Sequence, residues 1–176
     1  TGLLSIIGGK LTTDRNLAEI VVNQVVREIE GEFADCRTRV EPLPGSIDLE
    51  STTKIIVAYP GISTACVARL QSIYGSRAAR IVELSANHPG FVDELETVLV
   101  AEVVHAIRNE FAVTLTDIVH RRMMVGLLPD QGRSVTAAIA DVAAAEAGWD
   151  RAQRDAEIDG LRKHEQRLLV HDGRPG

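Results

Sequence analysis

Apolar residues along this chain recur at helical rather than strand spacing almost throughout. Leu17, Ile20, Val21, Val25 and Ile29 share one side of a 3.6-residue period, with Arg15, Glu19, Asn23, Gln24, Arg27 and Glu28 mostly on the other. This predicts an amphipathic helix ending near Gly31. Ahead of it, Leu3 to Ile7 is short, apolar and partly β-branched, which predicts a buried strand. Asp35 to Ser51 contains Cys36-Arg37-Thr38 and Pro42-Leu43-Pro44-Gly45, which cannot continue a helix and read as an extended connector. The domain boundary falls there, dividing the chain into residues 1–48 and 49–176.

Beyond the connector, Val67, Leu70, Ile73 and Tyr74 form a short stripe that stops at Gly75. Ser76 is placed to cap a second short helix through Ile81 and Leu84, closed by His88-Pro89-Gly90. Leu95, Val98, Leu99, Val103, Ala106 and Ile107 make one face of a long helix over Leu95 to Asn109. Thr114 or Thr116 caps the next, through Ile118, Val119 and Arg122, with Gly126 at its end. Val135 to Ala147 is rich in alanine, which favours helix and permits close packing. Gly148 ends that helix, and Asp150 opens a charged last one around Ile158, Leu161 and Leu168. The fold class that follows is mainly α, with one strand and helix preceding a helical domain of six or so helices.

Composition narrows the function classes. The 176 residues are 45% hydrophobic and 25% charged, enough for one ordinary globular domain with a piece of another. A formal net charge of −6 and the lack of a basic patch interleaved with aromatics argue against nucleic acid as a partner. Cys36 and Cys66 lack any CxxC spacing, so two reduced thiols in a cytosolic protein are expected, with neither a disulfide scaffold nor a zinc site. The best apolar run, Ile55 to Ala58, soon meets Pro60 and is far short of a membrane span.

The densest chemistry lies in Ser5-Ile6-Ile7-Gly8-Gly9-Lys10-Leu11-Thr12-Thr13. Two glycines let the backbone turn tightly and approach a ligand. Thr12 or Thr13 can cap the helix that follows, whose free N–H groups and dipole attract negative charge, and Lys10 adds a mobile cation. The competing reading is a plain strand-to-helix connection with a surface lysine. Neither the phosphate-loop spacing nor Gly-x-Gly-x-x-Gly occurs, so this turn contributes to a nucleotide site without forming one alone. The histidines show no metal-ligand spacing, and no nucleophile motif starts a Ser-His-Asp arrangement. No metal ligand and no catalytic residue is assigned. Glu110 or Glu102 is expected to pair with Arg121 or Arg122 between helices, and Met123-Met124-Val125 to lie in the core.

Taken in order, Gly8-Gly9-Lys10-Leu11-Thr12-Thr13, the Cys36-Arg37-Thr38 and Pro42-Leu43-Pro44-Gly45 connector, Tyr74-Gly75-Ser76-Arg77-Ala78, Ala101-Glu102-Val103-Val104-His105-Ala106-Ile107-Arg108-Asn109-Glu110, Thr114-Leu115-x-Asp117, Arg121-Arg122 with Gly126-Leu127, and Gly148-Trp149 resemble the C-terminal third of FAD-dependent glycerol-3-phosphate dehydrogenases. The resemblance implies that residues 1–48 are the last strand, helix and connector of an FAD-binding α/β domain and that 49–176 are the family's helical C-terminal domain. It implies an intact enzyme that oxidises glycerol 3-phosphate to dihydroxyacetone phosphate, passes a hydride to flavin N5 and delivers electrons to a membrane quinone, or to oxygen in oxidase relatives. Carried over by position, Gly8, Gly9, Lys10, Leu11 and Thr12 sit against the flavin, where amides and an ammonium stabilise its negative edge. A role for Lys10 toward the substrate phosphate stays open beside that one.

Two departures stand out. Thr12-Thr13-Asp14-Arg15 replaces the usual Thr-Thr-Tyr-Arg, putting a carboxylate in the first helical turn, and His105 stands where Tyr is more usual. The chain is expected to be part of a larger protein, to bind no FAD and to turn over no substrate by itself, with its strand frayed or paired with a second copy. A cytoplasmic location is expected; peripheral attachment to the inner face of the cell membrane and homo-oligomerisation stay open. The contrasting reading is a non-catalytic helical interaction module, for which Gly8 to Thr13 is a chance match.

Overall fold

The structure is a computed structural model and describes residues 2–46, 48–57 and 59–168. The chain divides into two compact units, one before Asp48 and one from Asp48 onward. In the first unit a short 3-10 turn, Leu11–Thr13, runs into helix α1, Asp14–Glu28. Asp14 in the first turn and Arg27 in the last complement the helix dipole. The connector is tied back to α1 by side chains. Arg15 Nη2 donates to the carbonyl oxygens of Thr38 and of Glu41, the latter at 2.7 Å, and Arg39 Nε donates to Glu19 at 3.2 Å.

The expected strand is not there. No β-strand occurs among the described residues, and Leu3 to Ile7 adopt no regular structure. A strand is held by hydrogen bonds exchanged with a neighbouring strand, and the described chain offers Leu3–Ile7 none. Leu3 and Ile7 are accordingly 85% and 96% exposed. The fold among the described residues is therefore helical, without the leftover α/β strand.

The second unit contains α2 (Leu49–Val57), α3 (Thr64–Tyr74), α4 (Ala78–Ser85), α5 (Val100–Asn109), α6 (Thr136–Ala147) and α7 (Arg151–Leu168). Helix α2 begins inside the stretch expected to be connector. Thr52, Thr53, Ile55, Ile56 and Val57 are β-branched and poor helix formers; burial of Ile56 against α3 and α4 decides the conformation. Ser63 caps α3, its hydroxyl accepting the Cys66 N–H at 3.1 Å, and Gly75 ends it with φ of 57°. Helix α5 starts at Val100, five residues later than its apolar spacing suggests. Asp93 captures the N–H groups of Thr97 at 3.0 Å and Val98 at 2.7 Å, so the preceding residues form a loop with one antiparallel bridge, Phe91 to Leu99.

After α5, Thr114 and Asp117 cap each other reciprocally: the Asp117 carboxylate accepts the Thr114 N–H at 2.9 Å and the Thr114 hydroxyl accepts the Asp117 N–H at 3.1 Å. The helix that follows widens to a π-helical segment, Asp117–Arg122. Gly148, with φ of 72°, stops α6 where expected, and Asp150 caps α7 by accepting the Gln153 N–H at 2.8 Å. Two apolar clusters form the core. One joins α2, α3 and α4 to Leu99 and Ala101; the other joins Val103 and Ala106 to residues 112–125, α6 and Leu161 of α7. Helix α5 lies between them and is buried from Ala101 to Ala106.

Candidate functional site

The Gly8–Thr12 segment forms the turn that its sequence suggests, though not its expected cap. Gly8 and Gly9 take φ of 83° and 129°, values open to glycine and strained for other residues. A Cβ at Gly8 would meet nothing within 4 Å, while one at Gly9 would lie 3.3 Å from Leu17 Cδ2. Gly9 thus lets the turn fold close to α1. Thr13, not Thr12, immediately precedes α1, and its hydroxyl does not cap the helix. It donates instead to the Lys10 carbonyl at 3.0 Å, closing the turn on itself. Gly8, Gly9, Lys10, Leu11 and Thr12 are all exposed, and the Lys10 ammonium has no hydrogen bond or ion pair among the described residues.

In the second unit the charged residues pair differently from expectation. Glu102, fully buried, accepts two hydrogen bonds from Arg69 Nη1 at 2.7 Å each, one from the Tyr74 hydroxyl at 3.0 Å and one from the Leu99 N–H at 2.8 Å. Arg69 Nη2 donates onward to the Met123 carbonyl at 2.9 Å. One carboxylate therefore joins α3, the start of α5 and the end of the π-helical segment. Arg121 pairs with Asp117 on its own turn, Glu110 lies 3.7 Å from His105 Nε2, and Arg122 Nε is buried without a hydrogen-bond partner. The expected pairing of Glu102 or Glu110 with Arg121 or Arg122 does not form, because Arg69 reaches Glu102 from the facing helix.

These surroundings shift several groups. Burial pushes the Glu102 carboxyl up, against the opposing pull of Arg69, the Leu99 N–H and the Tyr74 hydroxyl. Burial and the Glu102 charge raise the Tyr74 hydroxyl far above its ordinary value, and burial pushes the Cys66 thiol up to about 11. Asp117 loses solvent, which opposes ionisation, yet hydrogen bonds from Thr114, Val113 and Arg121 outweigh this and hold it at about 2. Cys36 and Cys66 are both free thiols, the first exposed and the second buried.

A second polar cluster joins the π-helical segment to α7. His120 lies 4.0 Å from Glu165 and edge-on to His164, with ring centroids 5.2 Å apart; Arg133 lies 3.6 Å from the other Glu165 oxygen. Burial, then the neighbouring His164, keep the His120 imidazole below its ordinary value, while Glu165 pulls the other way. Gly126 makes room for this ring, since a Cβ there would lie 2.4 Å from it. No group of three potential metal ligands occurs among the described residues. None of their helices is long and apolar enough to cross a membrane.

Two cavities lie in the second unit, the smaller of them beside His105. The larger, about 490 Å³, is lined by Ser72, Ile73, Tyr74, Glu110, Arg122 and others, and the smaller, about 150 Å³, by Arg77, Arg80, His105 and Asn109. Neither Arg69 nor these cavities had a signal in the sequence beyond single charged residues, for they are assembled from helices distant along the chain.

Comparison with known proteins gives this architecture a place. Residues 36–154 match the family described as the C-terminal domain of alpha-glycerophosphate oxidase. The chain is similar to the glycerol-3-phosphate dehydrogenase of Synechocystis sp., 30% identical over 176 residues that cover 97% of this chain and 32% of that protein. It is also similar to glycerol-3-phosphate dehydrogenase 2 of Mycobacterium tuberculosis and the glycerol-3-phosphate dehydrogenase of Mycobacterium leprae, each 29% identical over 164 residues, covering 89% of this chain and 28% of the relative. The chain belongs to the FAD-dependent glycerol-3-phosphate dehydrogenase and oxidase family, as the ordered motifs led us to expect. It spans about a third of the length of the relatives it matches.

Proposed function

We propose that this chain is the C-terminal part of an FAD-dependent enzyme that oxidises glycerol 3-phosphate to dihydroxyacetone phosphate and passes the electrons to quinone. The observation that carries this is the family match over residues 36–154. Residues 1–48 are then the end of the flavin-binding domain and 49–176 the helical domain that follows it in sequence. FAD, when bound, supplies the hydride acceptor. The first turn has features that suit a large anionic cofactor: positive-φ glycines, open space beside Gly8 and a Lys10 ammonium with no partner among the described residues. Gly8, Gly9, Lys10, Leu11 and Thr12 contribute to that site by offering backbone N–H groups and one cation to its negative edge. Asp14, one turn on, weakens that positive field.

Alone, the chain supplies too few of these contacts to hold FAD and is inactive. The intact enzyme works in the cytoplasm, at the inner face of the cell membrane where quinone is reached, and a homo-oligomer is compatible with it. A second reading, oxygen as acceptor, is favoured by the family description, which names an oxidase. Assaying the intact parent protein with glycerol 3-phosphate separates the two: reduction of a soluble quinone without peroxide supports the dehydrogenase, and stoichiometric peroxide supports the oxidase. Lys10→Met in that parent lowers turnover or shifts the flavin potential. Substrate-independent dye reduction, or yellow flavin co-purifying with residues 1–176 alone, contradicts the proposal.

A further inference from the structure

Two arginines of the second unit stand without partners beside the smaller cavity. Arg77 ends the turn that leads into α4 and Arg80 follows three residues later, so both guanidinium groups leave the same face. Neither makes a hydrogen bond or ion pair among the described residues. Across from them α5 presents His105 and Asn109, one turn apart, and these four residues line a space of about 150 Å³. At liquid density that volume accommodates about five water molecules.

His105 is the buried wall of this cavity. It is 4% exposed, and both of its ring nitrogens lack a hydrogen-bond partner. The Glu110 carboxylate lies 3.7 Å from Nε2, beyond hydrogen-bond reach, and lines the other cavity. The Tyr74 ring meets it edge-on at 6.0 Å. Buried polar atoms left without partners are rare in native folds, and like charges three residues apart repel unless something negative joins them.

We propose that this cavity binds a small tetrahedral oxyanion of the phosphate class. Arg77 and Arg80 supply forked, charge-assisted donors suited to phosphate oxygens, with Asn109 and a His105 ring N–H completing the set. No carboxylate lines the cavity to oppose the anion. The phosphate group is either free in solution or carried on a lipid headgroup. The inference does not depend on the flavin assignment.

The 176-residue chain is titrated with inorganic phosphate by calorimetry at fixed ionic strength, and co-sedimented with vesicles of phosphatidylglycerol or of phosphatidylcholine. Phosphate binds saturably with one-to-one stoichiometry. R77Q/R80Q binds at least about tenfold more weakly at an unchanged thermal midpoint, because both side chains are exposed. His105→Phe, which keeps a ring but no nitrogen, also weakens binding. Retention on phosphatidylglycerol alone that is lost in R77Q/R80Q, without a phosphate titration, supports the site and assigns its ligand to a lipid headgroup. The proposal is overturned if neither probe binds, or if binding survives R77Q/R80Q.

Discussion

Glu102 carries a heavy electrostatic demand in the helical unit. It has no exposed surface and satisfies four hydrogen bonds, two of them from an Arg69 side chain that is itself only 19% exposed. A buried pair of this kind adds little over an apolar substitute, whereas removing one charge strands the other. Glu102→Gln keeps an acceptor for the Leu99 N–H but leaves the Arg69 cation uncompensated, and is expected to lower unfolding free energy by about 3 kcal/mol. R69M in that background recovers part of the loss. Urea denaturation of the two single variants and the double gives the coupling directly; strictly additive losses would mean that the pair is not coupled. His105, by contrast, has no hydrogen bond at either ring nitrogen, which is the observation the proposed anion site starts from.

The joint between the π-helical segment and α7 is a pH-sensitive contact. His120 is held below its ordinary value of 6.5 chiefly by burial, and it faces His164, Glu165 and, through Glu165, Arg133. The unfolded ring takes up a proton at a higher pH than the folded one. Stability contributed by the neutral ring is therefore complete above about pH 6.5 and falls as pH drops below it. Thermal midpoints measured from about pH 7 to about pH 5 should decline, and decline less in H120Q. Asp117 and Asp130, both held at about 2, do not confuse this window, since their contributions are lost only at lower pH. The elements themselves were unequally legible. Helices α6 and α7 could be located from alanine content, Gly148 and Asp150, because local capping and composition agree with the packing. Helix α2 could not, since its β-branched residues oppose helix and only burial of Ile56 overrides them. The start of α5 is not legible in the apolar spacing, because Asp93 takes backbone N–H groups that the spacing does not reveal. At the candidate site the glycine turn was legible, whereas the missing sheet partner of Leu3–Ile7 and the meeting of Arg77, Arg80, His105 and Asn109 depend on what lies across space.

The two units differ in what they bury. Every described core residue belongs to the second, and no described residue before Asp48 is buried. Leu3, Ile7 and Leu11 are instead 85%, 96% and 90% exposed, an apolar surface of the sort that marks an interface or an aggregation hazard. The relatives are about three times longer than this chain, and on the function proposed above these residues would meet a part of the protein outside it. The first unit should then add nothing to cooperative unfolding of the second. A chain of residues 48–176 is expected to keep the thermal midpoint of the 176-residue chain within about 2 °C and to self-associate less by light scattering, because the exposed apolar residues before Asp48 have gone. A drop of more than about 5 °C in calorimetry would mean that the first 47 residues contribute core contacts, and the division into independent units would have to be abandoned.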